Sequence, residues 1–282
     1  FAYSKAKKLG IKAYHAALQR GEDPYLAVLD EIVPDQLSLS HVNLRLLTIP
    51  MERIAGTGTR GRTSAFACNF MPLLEPNSEF ALKWMNLYHS VTKSGVRSPI
   101  KVLEYMNKYY VLEGNKRVSV AKFLGSPLIE AEVTRIIPKR TDELENRIYF
   151  EYLDFYRDTK INFLYFSDVG GFAQIYELVG KTPGEAWTAE EVADFRAVYL
   201  QFTEAFNLVG ADLLNITPGD AFLIYLKIYG YEPGTYVPMS EMRERLNRLR
   251  GEMKARATDE SISLLLSTDG QKPGFIRQII SP

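Results

Sequence analysis

One four-residue segment has the residue types of an anion-binding turn. It consists of Gly114, Asn115, Lys116 and Arg117. An apolar run precedes them and a short segment with an apolar face follows, which predicts a strand, a turn and a helix. A helix N-terminus presents N–H groups without intrahelical acceptors, and a glycine there allows a positive φ. The lysine supplies a point charge and the arginine a planar fork suited to phosphate oxygens. Ser119 could add one hydroxyl donor. An ordinary turn with solvent-exposed cations is the alternative interpretation.

A second glycine-rich segment lies upstream, between residues 54 and 62. Its three glycines allow backbone N–H groups to converge on an anion, and its polar side chains add hydroxyl and guanidinium donors. The candidate ligand-binding residues of this segment are Thr59, Arg60 and Arg62. It is not a P-loop, because no Gly-Lys-Ser/Thr follows. A flexible surface loop is the alternative interpretation.

Glu113 and Glu52 are the candidate catalytic carboxylates. Glu113 directly precedes the turn, where a carboxylate beside phosphates can hold Mg²⁺ or accept a proton. A pairing of Glu113 with Lys116 or Arg117 across the turn explains the same residue without catalysis. Glu52 is the weaker candidate, since alternation along a strand leaves open which side it faces.

The elements around these residues predict a compact α+β domain over residues 42–138. Two strand-like runs, 99–105 and 108–112, are joined by Met106-Asn107, which predicts a hairpin. The chain before this domain, residues 1–41, predicts a helical hairpin, with helices over 2–20 and 25–33 separated by Gly21 and Pro24.

The chain after residue 138 predicts a mainly helical domain over residues 139–282. Thr188 and Thr217 each begin a helix, the first through a capping box and the second with proline at the first helical position. A last helix is predicted from Glu241 to about Ala257. Residues 161–166 predict a strand or a buried run, and residues 261–266 could form another strand.

Residues 99–125, PIKVLEYMNKYYVLEGNKRVSVAKFLG, resemble the hairpin, turn and helix of the ParB/sulfiredoxin superfamily. Residues 49–62 are similar to the upstream box of that superfamily. The resemblance covers roughly residues 45–138. It implies a small mixed sheet with helices, flanked here by the N-terminal helical hairpin and the helical C-terminal domain. It also implies that the turn and the arginine loop bind nucleotide phosphates, with ATP or CTP and Mg²⁺ as cofactors. Sulfiredoxins carry a catalytic Cys where this chain has Asn115, so sulfiredoxin activity is not expected.

Charge and cysteine content exclude several other classes. Cys68 is the one cysteine, and three scattered histidines complete no zinc site, so neither zinc nor haem is expected. No apolar run is long enough to span a bilayer, which predicts a cytoplasmic protein without a membrane partner. The net charge of zero is the sum of a basic N-terminal half and an acidic C-terminal half. Residues 1–140 hold 20 Lys and Arg against 12 Asp and Glu, and residues 141–282 hold 14 against 22.

Three functions remain open on these observations. The first is binding of a nucleotide or phosphorylated small molecule, with or without NTP hydrolysis or phosphate transfer. The second is DNA binding or a ParB-like nuclease activity, which the basic half favours. The third is a non-enzymatic interaction module, with a protein partner bound through the acidic C-terminal half. The sequence alone does not decide whether the chain is an enzyme.

Overall fold

The computed structural model describes residues 1–61, 63–96 and 98–267, and it describes side chains as far as residue 258, except those of residues 212 and 213. The chain divides into two compact units, Phe1–Arg140 and Thr141–Pro282. The boundary coincides with the change from the basic to the acidic half of the sequence.

The first unit contains a mixed sheet of six strands among the described residues. These elements are α1 (Ala2–Gln19), β1 (Ala27–Val28), α2 (Leu29–Ile32), β2 (Ser40–Pro50), β3 (Ile54–Thr57), α3 (Glu79–Ser94), β4 (Ile100–Tyr105), β5 (Lys108–Glu113), α4 (Asn115–Phe123) and β6 (Leu128–Ile137). The strand order is β1-β3-β5-β4-β6-β2. Strands β1, β3 and β5 are parallel, while β4 is antiparallel to β5 and parallel to β6. The predicted α+β class is confirmed.

One face of the sheet packs against helices to form the core. Buried aliphatic and aromatic side chains from all the longer strands meet Val118 and Ala121 of α4. Alternation along the strands places these residues on one side, as along β6, where Ile129, Ala131 and Val133 are buried between exposed residues. This packing fixes α4 against the sheet and so fixes the position of the turn that begins it.

The hairpin predicted at Met106-Asn107 is present. Tyr105 pairs with Lys108, and both connecting residues have positive φ, 51° and 62°. Positive φ at both central positions is the requirement of a type I′ turn, whose twist matches that of the strands. The backbone N–H of Asn107 also donates to the Glu104 carboxylate at 2.8 Å, which stabilises the turn.

The N-terminal region differs from the predicted helical hairpin. Only Leu29–Ile32 is helical in the second segment, and Ala27–Val28 before it forms strand β1. Gly56 makes this possible, because a Cβ on that residue would lie 2.1 Å from the carbonyl oxygen of Ala27. The sheet gains a third parallel strand, and pairing with β3 overrides the helical preference of the segment.

The second unit is helical in its described residues. Its helices are α5 (Leu144–Thr159), α6 (Gly171–Val179), α7 (Ala189–Leu208), α8 (Pro218–Tyr229) and α9 (Met239–Ser267). The capping box at Thr188 and the cap at Thr217 are both present. Residues 161–166 form a buried aromatic run without strand structure, and residues 261–266 continue α9 where a strand was predicted. No helix in the described part of the chain combines the length and apolar character needed to cross a membrane.

Candidate functional site

The two glycine-rich segments meet at the carboxyl ends of the parallel strands β3 and β5. Thr57 pairs with Val111 at the end of these strands. The Gly58 N–H donates to the Val111 carbonyl at 2.9 Å, and Asn115 Nδ2 donates to Thr57 Oγ1 at 3.4 Å. We call the loop 57–61 the glycine loop, residues 113–117 the glycine turn, and the surface that they share the strand-end surface. Carboxyl ends of parallel strands are a common position for ligand sites in α/β sheets.

Gly114 caps α4 in a conformation that favours glycine. Its φ is 116°, and a Cβ would lie 2.6 Å from Ile100 Cγ2. No side chain caps this helix, so its first backbone N–H groups lack the acceptor that a Ser or Asp cap would provide. The turn therefore has the backbone geometry of an anion site.

Helix α3 runs parallel to α4. Lys116 Nζ lies 4.8 Å from the centroid of the Phe80 ring, Trp84 Nε1 is 2.9 Å from Ser119 Oγ, and the Tyr88 and Phe123 rings are 6.0 Å apart. These pairs advance together from the first turn of both helices to the third turn of α3 and the last turn of α4. The two N-termini consequently lie side by side, but that of α3 is capped by Ser78 and carries Glu79 in its first turn, so the uncapped N-terminus of α4 is the one that favours an anion.

Arg117 is held within the protein. Its Nη1 donates to the backbone carbonyls of Ser98 and Pro99, and its Nη2 lies 3.0 Å from Glu113 Oε1. The side chain is only 18% exposed. Arg117 therefore fixes the first turn of α4 to the start of β4, and it has little freedom to turn toward a ligand.

Glu113 is exposed and lies between two cations. Its Oε2 is 3.6 Å from Lys101 Nζ, and its Oε1 faces Arg117. The predicted alternative, pairing across the turn, is thus present for Arg117. The carboxylate still has a solvent-accessible side, with 61% of the side chain exposed.

Glu52 is not close to Glu113. It lies in a short 3₁₀ turn, Met51–Arg53, before the amino end of β3, whereas Glu113 ends β5. Its carboxylate is close enough to Lys122, in the last turn of α4, to influence the pKa of that lysine. Glu113 instead pairs with Arg117, in the first turn of α4. Burial lowers the pKa of Lys122, and the nearby Glu52 charge opposes that shift. The two candidate carboxylates thus lie at opposite ends of α4 and share no site.

Ser119 lies in the core. It is fully buried, and its Oγ accepts the hydrogen bond from Trp84 Nε1. Its position in the second turn of α4 points it toward α3, away from the strand-end surface. The sequence could not show this, because Trp84 is 35 residues away along the chain.

The glycine loop presents Thr59 and Arg60 to solvent. The Arg60 guanidinium pairs with the carboxylate of Glu31 in α2, and both side chains are largely exposed. This hydrogen bond lowers the pKa of Glu31. Arg62 lies outside the described residues. Sequence reasoning missed Glu31 and Lys101, whose positions depend on the pairing of β1 and β4 with the other strands.

Asn115 Oδ1 is buried, and among the described residues nothing donates a hydrogen bond to it. The Nδ2 group of the same amide is used by Thr57. An acceptor in this state requires an N–H or O–H donor, or a metal-bound water, to complete its bonding. An ionised phosphate oxygen cannot provide one. No group of three or more His, Cys, Asp or Glu side chains suited to a metal occurs in the described part of the chain.

The described residues of the second unit also line two concavities. The larger, about 370 Å³, is open and lies between α8 and α9; it is lined by Tyr229, Glu241, Glu244, Arg245 and Arg248. Its charged groups pair with one another, Arg245 with Glu241 and Arg248 with Glu244. The smaller, about 110 Å³, adjoins Asp220, whose carboxylate accepts hydrogen bonds from Thr217 and Ser167. The charged groups named in the larger concavity and the Asp220 carboxylate in the smaller one already have partners, so neither concavity is preferred over the strand-end surface.

Comparisons with known proteins add little to this geometry. No protein-family model matches the chain, and no curated protein matches it. Among solved structures, sulfiredoxin from Arabidopsis thaliana is similar at 24% identity, over 31% of this chain and 82% of that chain, with a TM-score of 0.23.

Proposed function

We propose that the strand-end surface binds a phosphate-bearing ligand, with a Mg²⁺-nucleotide such as ATP or CTP as the best candidate. The Asn115–Thr57 hydrogen bond is the observation that carries this proposal, because it joins the glycine loop to the uncapped N-terminus of α4. The uncapped N-terminus of α4 supplies a field that favours an anion. The ParB/sulfiredoxin resemblance of residues 45–138 points to the same surface.

In this proposal the residues divide into ligand-binding and positioning groups. The backbone N–H groups of the first turn of α4, Lys116 and Arg60 would bind phosphate oxygens, and Thr59 would add a hydroxyl. Arg117 would act as a positioning residue that holds the turn. Ser119 and Glu52 are left out because of their positions.

The orphaned amide oxygen of Asn115 requires a hydrogen-bond donor from the ligand or from its hydration shell. A ribose hydroxyl, a base amine or a water molecule on Mg²⁺ can donate to it, and so can the protonated oxygen that inorganic phosphate keeps at neutral pH. Mg²⁺ typically binds one or two carboxylates together with substrate phosphates, and Glu113 is the exposed carboxylate at this turn. When bound, the Mg²⁺ ion would neutralise phosphate charge. Glu113 would hold the ion and would give up its ion pair with Lys101.

Calorimetric titration with ATP, ADP, CTP and sodium phosphate, each with and without MgCl₂, tests the proposal. We expect a nucleotide to bind in the micromolar range and more tightly than phosphate. Lys116→Ala should weaken binding about tenfold, in line with the loss of one charge-assisted hydrogen bond. Lys93→Ala is the matched control, because Lys93 is an exposed lysine at the C-terminal end of the neighbouring helix α3.

The absence of binding below 1 mM for every ligand would overturn the proposal, as would equal effects of the two lysine substitutions. Phosphate release from the ligand that binds best then separates an enzyme from a binding protein. If the site is catalytic, Glu113→Gln should abolish release and leave binding within a few-fold of the wild type.

A further inference from the structure

Helix α1 carries a cationic stripe that the proposed ligand site does not use. Residues 2–19 include four lysines and no acidic residue. Lys5, Lys8 and Lys12 are exposed, whereas Lys7 turns toward Glu75 and pairs with it at 2.6 Å. The inner face of the helix packs on the rest of the unit through Tyr3, Ala6, Gly10 and Ala17.

The exposed face of α1 is polar along its centre. At 3.6 residues per turn, the exposed polar residues fall within about 100° of arc and extend over about 22 Å. They are Ser4, Lys5, Lys8, Lys12, His15 and Gln19. The exposed aliphatic side chains lie at the two margins of this arc, Ile11 and Leu18 on one side and Leu9 on the other.

This distribution distinguishes between two kinds of anionic partner. A helix that lies in a bilayer interface has its aliphatic residues at the centre of the docked face. Here the centre holds cations, a hydroxyl, an imidazole and an amide, which are the groups that contact nucleic-acid phosphates. B-DNA carries one negative charge per roughly 1.7 Å of axis, so a stripe of this length can face several phosphates at once.

We propose that α1 docks on the phosphate backbone of duplex DNA without reading its sequence. The unit that contains α1 carries a net charge of +8, which complements a polyanion beyond the stripe itself. None of the stripe residues belongs to the strand-end surface, so this proposal does not depend on nucleotide binding.

Fluorescence anisotropy with a labelled 20-bp duplex of arbitrary sequence tests the proposal on the full chain. The wild type should bind at 50 mM NaCl and weaken steeply by 200 mM. The triple substitution K5A/K8A/K12A should reduce the slope of log K against log [NaCl] by about 2.7, since each phosphate contact contributes about 0.9. Alanine preserves the helix, and circular dichroism with thermal unfolding should show an unchanged fold.

The matched control K83A/K93A/K139A removes the same charge from exposed positions elsewhere in the same unit. It should change the slope by less than half as much. An equal effect of the two triple variants would show that net charge alone is responsible and would overturn the docking surface. Failure of the wild type to bind DNA at 50 mM NaCl would also overturn it, and so would binding only to vesicles containing phosphatidylserine.

Discussion

The indole Nε1 of Trp84 donates a hydrogen bond to Ser119 Oγ at 2.9 Å, and both side chains are fully buried. This bond joins α3 to α4 one turn below the Lys116–Phe80 contact. It therefore supports the parallel arrangement of the two helices, and with it the proximity of their N-termini.

Ser119→Ala should destabilise the protein by about 1–3 kcal/mol, because it leaves a buried indole N–H without an acceptor. Urea unfolding measures the change. In the double-mutant cycle, Trp84→Phe removes the orphaned donor, so the double substitution should cost less than the sum of the two single ones. Additive costs would show that the bond contributes nothing. Because Ser119 contributes no group to the strand-end surface, the affinity of the folded variant for nucleotide should stay within a few-fold of the wild type.

Gly114→Ala should destabilise the protein more than Gly125→Ala. Both glycines have positive φ, 116° and 74°, so both substitutions carry backbone strain of about 1–2 kcal/mol. Only at Gly114 does the new Cβ also meet a side chain, Ile100 Cγ2 at 2.6 Å, whereas nothing lies within 4 Å at Gly125. We expect a further 1 kcal/mol or more at Gly114 from this clash. Equal unfolding free energies for the two variants would contradict the geometry described for the turn.

The parts of this fold that the sequence predicts are those set by local chemistry. The positive φ at Gly114 followed from a glycine before an uncapped helix, and the two-residue hairpin followed from the spacing of two apolar runs. The capping box at Thr188 is likewise a matter of four consecutive residues. In each case the residues that form the structure are neighbours in the chain.

The parts that escape prediction depend on contacts between distant residues. Ala27 and Val28 become a strand because Gly56, almost thirty residues later, leaves room for them. Arg117 is of a residue type that often binds phosphate, yet its guanidinium donates hydrogen bonds to the carbonyls of Ser98 and Pro99. Residue type predicts what a side chain can bind, but only the tertiary arrangement determines what it does bind.

Glu31 should act as an internal competitor for Arg60. The Arg60 hydrogen bond lowers the pKa of Glu31, so the carboxylate stays ionised and keeps the guanidinium engaged at neutral pH. If Arg60 binds ligand phosphate, Glu31→Gln should raise nucleotide affinity about two- to fivefold, the modest effect expected of an exposed pair. Glu22→Gln, which frees Arg20 from a comparable exposed pair, should leave the affinity unchanged. Calorimetry on the two variants measures the difference, and a decrease in affinity for Glu31→Gln would argue that Glu31 itself contacts the ligand.

The second unit should lose stability in acid because of Asp158. Burial would raise the pKa of its carboxyl, but hydrogen bonds from Tyr176 Oη at 2.6 Å, the Gly184 N–H at 2.7 Å and Arg157 Nε at 3.1 Å outweigh that effect. The pKa in the folded state therefore lies below its usual value. A lowered pKa contributes stability that is complete above the unfolded value of about 3.9 and is lost as the pH falls through the folded value.

Asp158→Asn should consequently cost about 1–3 kcal/mol at pH 7, because the variant loses the charge-assisted character of the hydrogen bonds that this buried carboxylate accepts. That difference should shrink as the pH falls below about 4, where the unfolded wild-type chain takes up a proton at Asp158 before the folded chain does. Asp154→Asn is the control, since Asp154 lies on the same helix and also pairs with Arg157 but is 63% exposed. Urea unfolding at pH 7, 5, 4 and 3 measures both variants. A constant difference between wild type and Asp158→Asn across this range would show that the carboxylate charge does not stabilise the unit.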